Sequence, residues 1–319
     1  MWTSHPKYHS ALKEFASHLP KWTSSSSDAR KIHFFGRSPL PKILFICGGD
    51  PELCENREKI EAYISKHSKN LLTFRAEYAW DTIVASKSTV NALKLEEWLA
   101  DFSDAVLILV ESFGTVAELG AFSMADSLRK KLLPILNKDF EGDESFINTG
   151  PVRWVNEDSV YRPCIYTDFN YILSCMPSVL ERVDVKRSKV YSSRDDDSTY
   201  GVFKLNKKEM LFMVVLIVIS LGPIEDDHII DVCKSVYGVK GRKEISDIRF
   251  IISLSVGLGI ASRLGYKGKN YYYCEKYNKF TNNIAMNDFS KASQRIRTRC
   301  LSHLYYIDEY KEVLREISG

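Results

Sequence analysis

The sequence predicts an α/β protein, with a parallel, doubly wound sheet domain followed by a mainly helical domain. Three observations carry this. Short apolar runs at Lys42–Cys47, Leu71–Phe74, Val106–Val110 and Leu132–Leu136 alternate with stretches of helical periodicity, the rhythm of a parallel sheet with crossover helices. The runs are apolar without alternation, as in strands covered on both faces. Beyond residue 201 the strand pattern gives way to three helices and a hairpin.

In chain order, residues 7–19 form a short amphipathic helix with Leu12, Phe15 and Leu19 on one face, within a leader of residues 1–40. Ser24–Ser27 is low-complexity loop. The sheet domain, residues 41–183, opens with the strand Lys42–Cys47 and the turn Gly48-Gly49-Asp50. Paired glycines let the backbone turn sharply and approach a ligand; equally, they suit a plain strand–helix turn. The third glycine of a dinucleotide fingerprint is missing. Glu55–His67 reads as a helix with Ile60, Tyr63 and Ile64 inward. After the strand Leu71–Phe74 comes Arg75 to Asp81, polar and aromatic residues that suit a sugar or base pocket. A helix over Leu93–Phe102 leads into the central strand. Pro134 marks the strand Leu132–Leu136 as an edge or end, and Ile165–Met176 carries a further element.

The central stretch is Asp104–Ala121. Strand Val106–Val110 is followed by a loop, Glu111–Gly114, and a helix from Thr115 to about Lys131. Ligands of open α/β sheets bind at the carboxyl ends of such strands. Thr115 and Glu118 have the spacing of a capping box, which places Glu118 in the first helical turn, where a carboxylate stays ionised. Glu118 is the candidate nucleophile. Gly48, Gly49, Asp50, Glu77, Asp81, Glu111, Ser112 and Asn148 are the candidate substrate-binding residues, with Glu111 orienting ribose hydroxyls or activating water.

Residues 184–203, rich in Ser, Asp, Arg and Lys, read as a linker. In 204–319 the helices Lys207–Leu221, Glu225–Tyr237 and Ile245–Arg263 precede a hairpin at Leu264–Cys274 with Gly-Lys-Asn at its tip, a winged-helix-like arrangement for nucleic-acid or partner binding. Arg263, Lys267, Lys269 and Tyr271 are its candidate phosphate and base contacts. Residues 288–317 close the chain as a long helix or a pair.

Composition narrows the class. The net charge of +3 divides into +6 over residues 201–319 and −3 over the rest, a modest bias toward a polyanionic partner. Seven cysteines lie scattered, none in a CxxC pair, which argues for a reducing, cytoplasmic setting and against a structural zinc site. No signal peptide opens the chain. The apolar run Met210–Leu221 is about half the length of a membrane span, so no membrane association is expected. Neither a metal nor a cofactor is implied.

Ala117-Glu118-Leu119-Gly120-Ala121-Phe122 resembles the nucleophile motif of nucleoside 2-deoxyribosyltransferases. A longer set of motifs, Ile46–Asp50, Glu111-Ser112 with Ala117–Ser123, Leu128–Leu132, and Ser145–Asn148 with Gly150–Val152, resembles the effector of tripartite bacterial retrons. That resemblance implies a flavodoxin/Rossmann-like deoxyribosyltransferase domain joined to a winged-helix-like domain. It also implies a toxin restrained by the retron reverse transcriptase and its branched RNA–DNA (msDNA), and released on phage infection. Some members are similar to NAD-cleaving enzymes, so the implied reaction is N-glycosidic cleavage, with NAD+ as substrate and Glu118 attacking C1′. Such sites are often completed by a neighbouring subunit, so an oligomer or higher assembly is expected. Two other readings stand beside it. One is a nucleoside or nucleotide deoxyribosyltransferase or base hydrolase. The other is a non-catalytic ligand sensor coupled to a DNA-binding domain.

Overall fold

The computed structural model describes residues 4–18, 40–50, 52, 54–77, 99–100, 102–184, 200–202, 205–275 and 287–318. Asp81, most of the Leu93–Phe102 helix, Ser24–Ser27 and most of the 184–203 linker lie outside them. The chain forms two compact units, one of Pro41–Asp197 and one of Met1–Leu40 together with Ser198–Gly319.

In the first unit, strands β1 (Lys42–Cys47), β2 (Leu71–Phe74), β3 (Ala105–Val110), β4 (Leu132–Asn137) and β5 (Ile165–Thr167) form one sheet in the order β2-β1-β3-β4-β5. Every pairing is parallel. The chain steps from β1 outward to β2, then returns to the far side of β1 for β3. The order of travel therefore reverses between β1 and β3, and their carboxyl ends flank the crevice where doubly wound sheets hold ligands. Leu44, Ile46, Leu107, Leu109, Leu133 and Ile135 pack against Ile60 and Ile64 of helix α2 (Asn56–His67) and against Ile172, Met176, Val179 and Val183. Each such side chain contributes about 1.5–3 kcal/mol when fully buried.

Pro134 does not sit at the sheet's edge. It is in register with Ile108 of β3, and β5 covers β4 on the other side. The β4–β5 register starts at Ile135, so the missing N–H of proline falls just outside that ladder.

The helix after β3 also differs from the sequence expectation. Helix α3 (Phe113–Met124) starts two residues before Thr115, and its N-cap is Ser112 in an extended conformation. Ser112 Oγ accepts from Thr115 N at 3.3 Å, and Thr115 Oγ1 accepts from Ser112 N at 3.0 Å. Thr115 is thus the third helical residue of the capping box rather than its cap, and Glu118 moves into the second turn. The helix ends at Met124 rather than near Lys131. Ala125 is non-helical, and a short helix, α4 (Asp126–Arg129), follows. Arg129 fastens this break through Ser123 O, Asp126 and Asp158.

The second unit includes α1 (Pro6–Ser17), which buries Tyr8, Ala11 and Phe15. The leader therefore packs with the C-terminal residues: Phe15 meets Tyr237, and Arg299 pairs with Glu14 at 3.3 Å. From residue 207 the order is α7 (Lys207–Leu221), β6 (Ile224–Glu225), α8 (Asp226–Tyr237), α9 (Arg242–Gly257), β7 (Ser262–Tyr266), β8 (Lys269–Tyr273), α10 (Asn287–Leu304) and α11 (Asp308–Ser318), with α5 (Arg153–Asp158) and α6 (Met176–Asp184) belonging to the sheet unit. Strands β6, β8 and β7 make an antiparallel sheet. Helix–strand–helix–helix–hairpin is the winged-helix order. Arg263 lies in β7 and not at the end of a helix. The hairpin turns at Lys267-Gly268, both with positive φ, as a tight two-residue hairpin turn requires. Helix α7 is buried along nearly its whole length. No helix among the described residues is long and apolar enough to cross a membrane.

Candidate active site

The site is assembled where β1 and β3 end. β1 delivers Cys47 and then Gly48-Gly49, and β3 delivers Glu111 and Ser112 ahead of α3. The glycines are explained by what lies against them. A Cβ at Gly49 would stand 2.5 Å from Cys54 Sγ, and one at Gly48 would stand 3.1 Å from Arg57 Cδ. Glu111 ties the two loops together. Its Oε1 accepts from Gly49 N at 3.1 Å and its Oε2 from Asn56 Nδ2 at 3.0 Å. Both oxygens are thus engaged by the β1–α2 connection.

Glu118 projects from the second turn of α3. Cys47 gives its carboxyl a side-chain hydrogen bond, while Oε2 is buried with no hydrogen-bond partner among the described residues. Burial is the largest influence on its titration and raises its pKa above the ordinary 4.5. Cys47 opposes the rise, Glu77 adds to it, and Arg57 opposes it. Glu118 therefore stands in the second helical turn and not, as the sequence predicts, in the first, and its pKa is raised rather than held down. One turn further in, the end-of-helix field has largely fallen away and desolvation wins.

Arg57 is the residue that sequence reasoning missed. It is 3% exposed, and its Nη2 lies 2.6 Å from Oε1 of Glu77, which is 51% exposed. The pair is close but misaligned for a hydrogen bond, and Nε has no partner either among the described residues. A signal was present: Arg57, Ile60 and Ile64 share the buried face of α2, and a cation on an apolar stripe calls for an explanation. Arg75, from the expected pocket segment, is instead held by Glu61 through Nε at 2.9 Å and Nη2 at 2.6 Å.

The other candidates fall out as follows. The structure brings Gly48, Gly49, Glu77, Glu111, Ser112 and Glu118 to one end of β1 and β3. Asp50 is exposed, and its Oδ1 accepts from Glu52 N at 2.9 Å. Asn148 acts as a strut: Nδ2 donates to Phe140 O and Asp143 O at 2.8 and 2.9 Å, and Oδ1 accepts from Tyr166 at 3.0 Å.

In the hairpin the expected contacts are partly committed within the fold. Lys267 pairs with Glu312 at 2.8 Å and Lys269 with Glu225 at 2.9 Å. Tyr271 is buried and so has no free face for stacking on a base, whereas Arg263 is exposed beside Tyr272. Lys240, Arg242 and Lys243, which sequence reasoning did not single out, are exposed at the start of α9. Their side chains have no ion pair among the described residues.

Together, a five-stranded parallel sheet, with the half-buried Glu118 at the β1/β3 crevice, and a mainly helical unit of winged-helix order define a two-unit α/β protein. The family model described as STM3845 retron effector protein matches residues 53–263, and the chain belongs to that family. It is 35% identical over 136 residues to the retron Ec86 protein of Escherichia coli named as a candidate ribosyltransferase/DNA-binding protein, covering 41% of this chain and 44% of that one. It is 30% identical over 125 residues to the similarly named retron Ec73 protein of Escherichia coli, covering 38% and 40%. The match spans less than half the length of either relative.

Proposed function

We propose that this retron effector cleaves an N-glycosidic bond, with Glu118 as nucleophile and NAD+ as substrate, yielding nicotinamide and ADP-ribose. The observation that carries the reading is the unpartnered, buried Oε2 of Glu118 at the β1/β3 crevice. A buried carboxylate oxygen with no partner is costly to the fold, a cost that bonding to a sugar carbon would offset. The ionised oxygen attacks C1′ while the C1′–N bond breaks through an oxocarbenium-like transition state. The bonding pair goes to the nicotinamide ring, which leaves neutral and needs no proton. Water then adds to the ribosyl ester, returning the Glu118 carboxylate and a proton. Cys47 orients the carboxyl through its hydrogen bond.

The winged-helix unit fits nucleic acid, and the relatives' names include DNA binding. The effector acts with its retron's reverse transcriptase and msDNA, which restrain it as a toxin until phage infection. Expression of wild type and Glu118→Gln without the partner genes tests the reading. Nicotinamide release and NAD+ loss are expected only in the wild type. Full NAD+ depletion by the variant removes Glu118 from the mechanism.

A further inference from the structure

We propose that Arg57 is the anion-binding residue of this site, and that it takes a phosphate oxygen of a 5′-phosphorylated N-ribosyl compound by exchanging Glu77 for the ligand. The proposal rests on the glycosidic-cleavage reading and adds the substrate class.

Four observations converge on it. Arg57 is 3% exposed, and two of its nitrogens, Nε and Nη2, have no hydrogen-bond partner among the described residues. Its neighbour Glu77 is half exposed, and the 2.6 Å contact between the two lacks hydrogen-bond geometry. The guanidinium arm runs beside Gly48, where any side chain would crowd it. It also stands in the first turn of α2, a twelve-residue helix whose N-cap residue, Glu55, supplies no side-chain cap. A glycine turn leading into an uncapped helix start is a common phosphate cradle, and here a buried cation is added to it.

The chemistry favours phosphate over a sugar hydroxyl. Guanidinium offers only donors, in a fork that matches two oxygens of one anion. The sugar hydroxyls need acceptors, which a guanidinium lacks; the groups beside it are the carboxylates of Glu118 and Glu77. With those carboxylates close by, a bare anion is repelled, and a ligand that also carries a cationic base is favoured. A nicotinamide nucleotide has both charges.

The test is a matched pair, nicotinamide mononucleotide and nicotinamide riboside. Binding is measured by calorimetry on full-length Glu118→Gln protein, and turnover by free nicotinamide from the wild type. A hydrogen bond to a charged group is worth about ten- to hundredfold in affinity. The mononucleotide is expected to bind at least about tenfold tighter than the riboside. Adding Arg57→Gln erases that preference, and Arg57→Lys keeps part of it. Adding Glu77→Gln frees Arg57 and strengthens mononucleotide binding, an increase that a merely structural Arg57 does not produce. Equal binding of the two compounds, no mononucleotide binding, or a preference that survives Arg57→Gln overturns the proposal. Absence of nicotinamide release from both the mononucleotide and NAD+, with the binding preference intact, overturns the cleavage reading and leaves Arg57 as an anion site.

Discussion

Glu111 separates two roles, a clamp on the β1–α2 loop and a base for water, and the structure sets the size of the effect. Replacing it with Ala removes the acceptors for Gly49 N and Asn56 Nδ2. Bonds to a charged group are worth about 1.5–3 kcal/mol each. Glu111 is partly exposed, which discounts both, so about 3 kcal/mol is the expected loss. At about 2–4 °C per kcal/mol for a domain of this size, the sheet unit's unfolding midpoint falls by roughly 6–12 °C. Glu111→Gln is the discriminating variant. Its carbonyl still accepts from Gly49, and Asn56 can turn its own amide to present an oxygen to the new NH2 group. The Gln variant is therefore expected to keep most of its stability and activity. Thermal unfolding and nicotinamide release, measured side by side, check this. Loss of more than about 100-fold in rate with an unchanged midpoint would refute the clamp and make Glu111 the base.

Glu118 should impose a pH dependence of two kinds. Its folded pKa lies above 4.5, chiefly through burial, and the nucleophile must be ionised, so activity rises with pH through that raised value. Stability runs the other way. The folded state binds the proton more tightly, so this contribution is complete below about 4.5 and is lost as pH rises through the folded value. A pH–rate profile checks the first effect. The second is checked by the stability difference between wild type and Glu118→Gln, which should change with pH inside that window and level off outside it. In the winged-helix unit, neutralising Lys240, Arg242 and Lys243 should lower the salt slope of DNA binding by about 0.9 for each phosphate that they cover. Neutralising Lys267 and Lys269, already paired with Glu312 and Glu225, should lower it less; equal effects would place the wing on the nucleic acid as well.

What the sequence made legible was whatever depends on short-range pattern. Unbroken apolar runs marked β1 to β4, and the change of rhythm after residue 201 separated the helical unit. Long-range partners were not legible. Ser112 and Thr115 both suit an N-cap. The outcome turned on the Thr115 hydroxyl, which accepts from the Glu111 and Ser112 N–H groups as the chain leaves β3. That choice moved Glu118 by one turn and changed the physics of its charge. The Gly48-Gly49 turn left open whether a ligand or the protein needs the space, and Cys54 and Arg57 supply the protein's share of the answer. In the wing, Lys267 and Lys269 look free in sequence because their partners come from Glu312 and Glu225, 45 and 44 residues away.

Arg57 combines a legible pattern with an illegible partner. On an apolar helical stripe it looks like an error of periodicity, and in the fold it is a cation set near Glu118 and Glu77 together. A buried guanidinium with idle donors and a buried carboxylate with an idle acceptor both carry a desolvation cost. Neither relieves the other: Oε2 of Glu118 and Nε of Arg57 each lack a hydrogen bond among the described residues. On the proposed reading, these two complementary charges are met by one molecule that satisfies both. A zwitterionic nucleotide, with a cationic base leaving from C1′ and a phosphate a few bonds away, has that form.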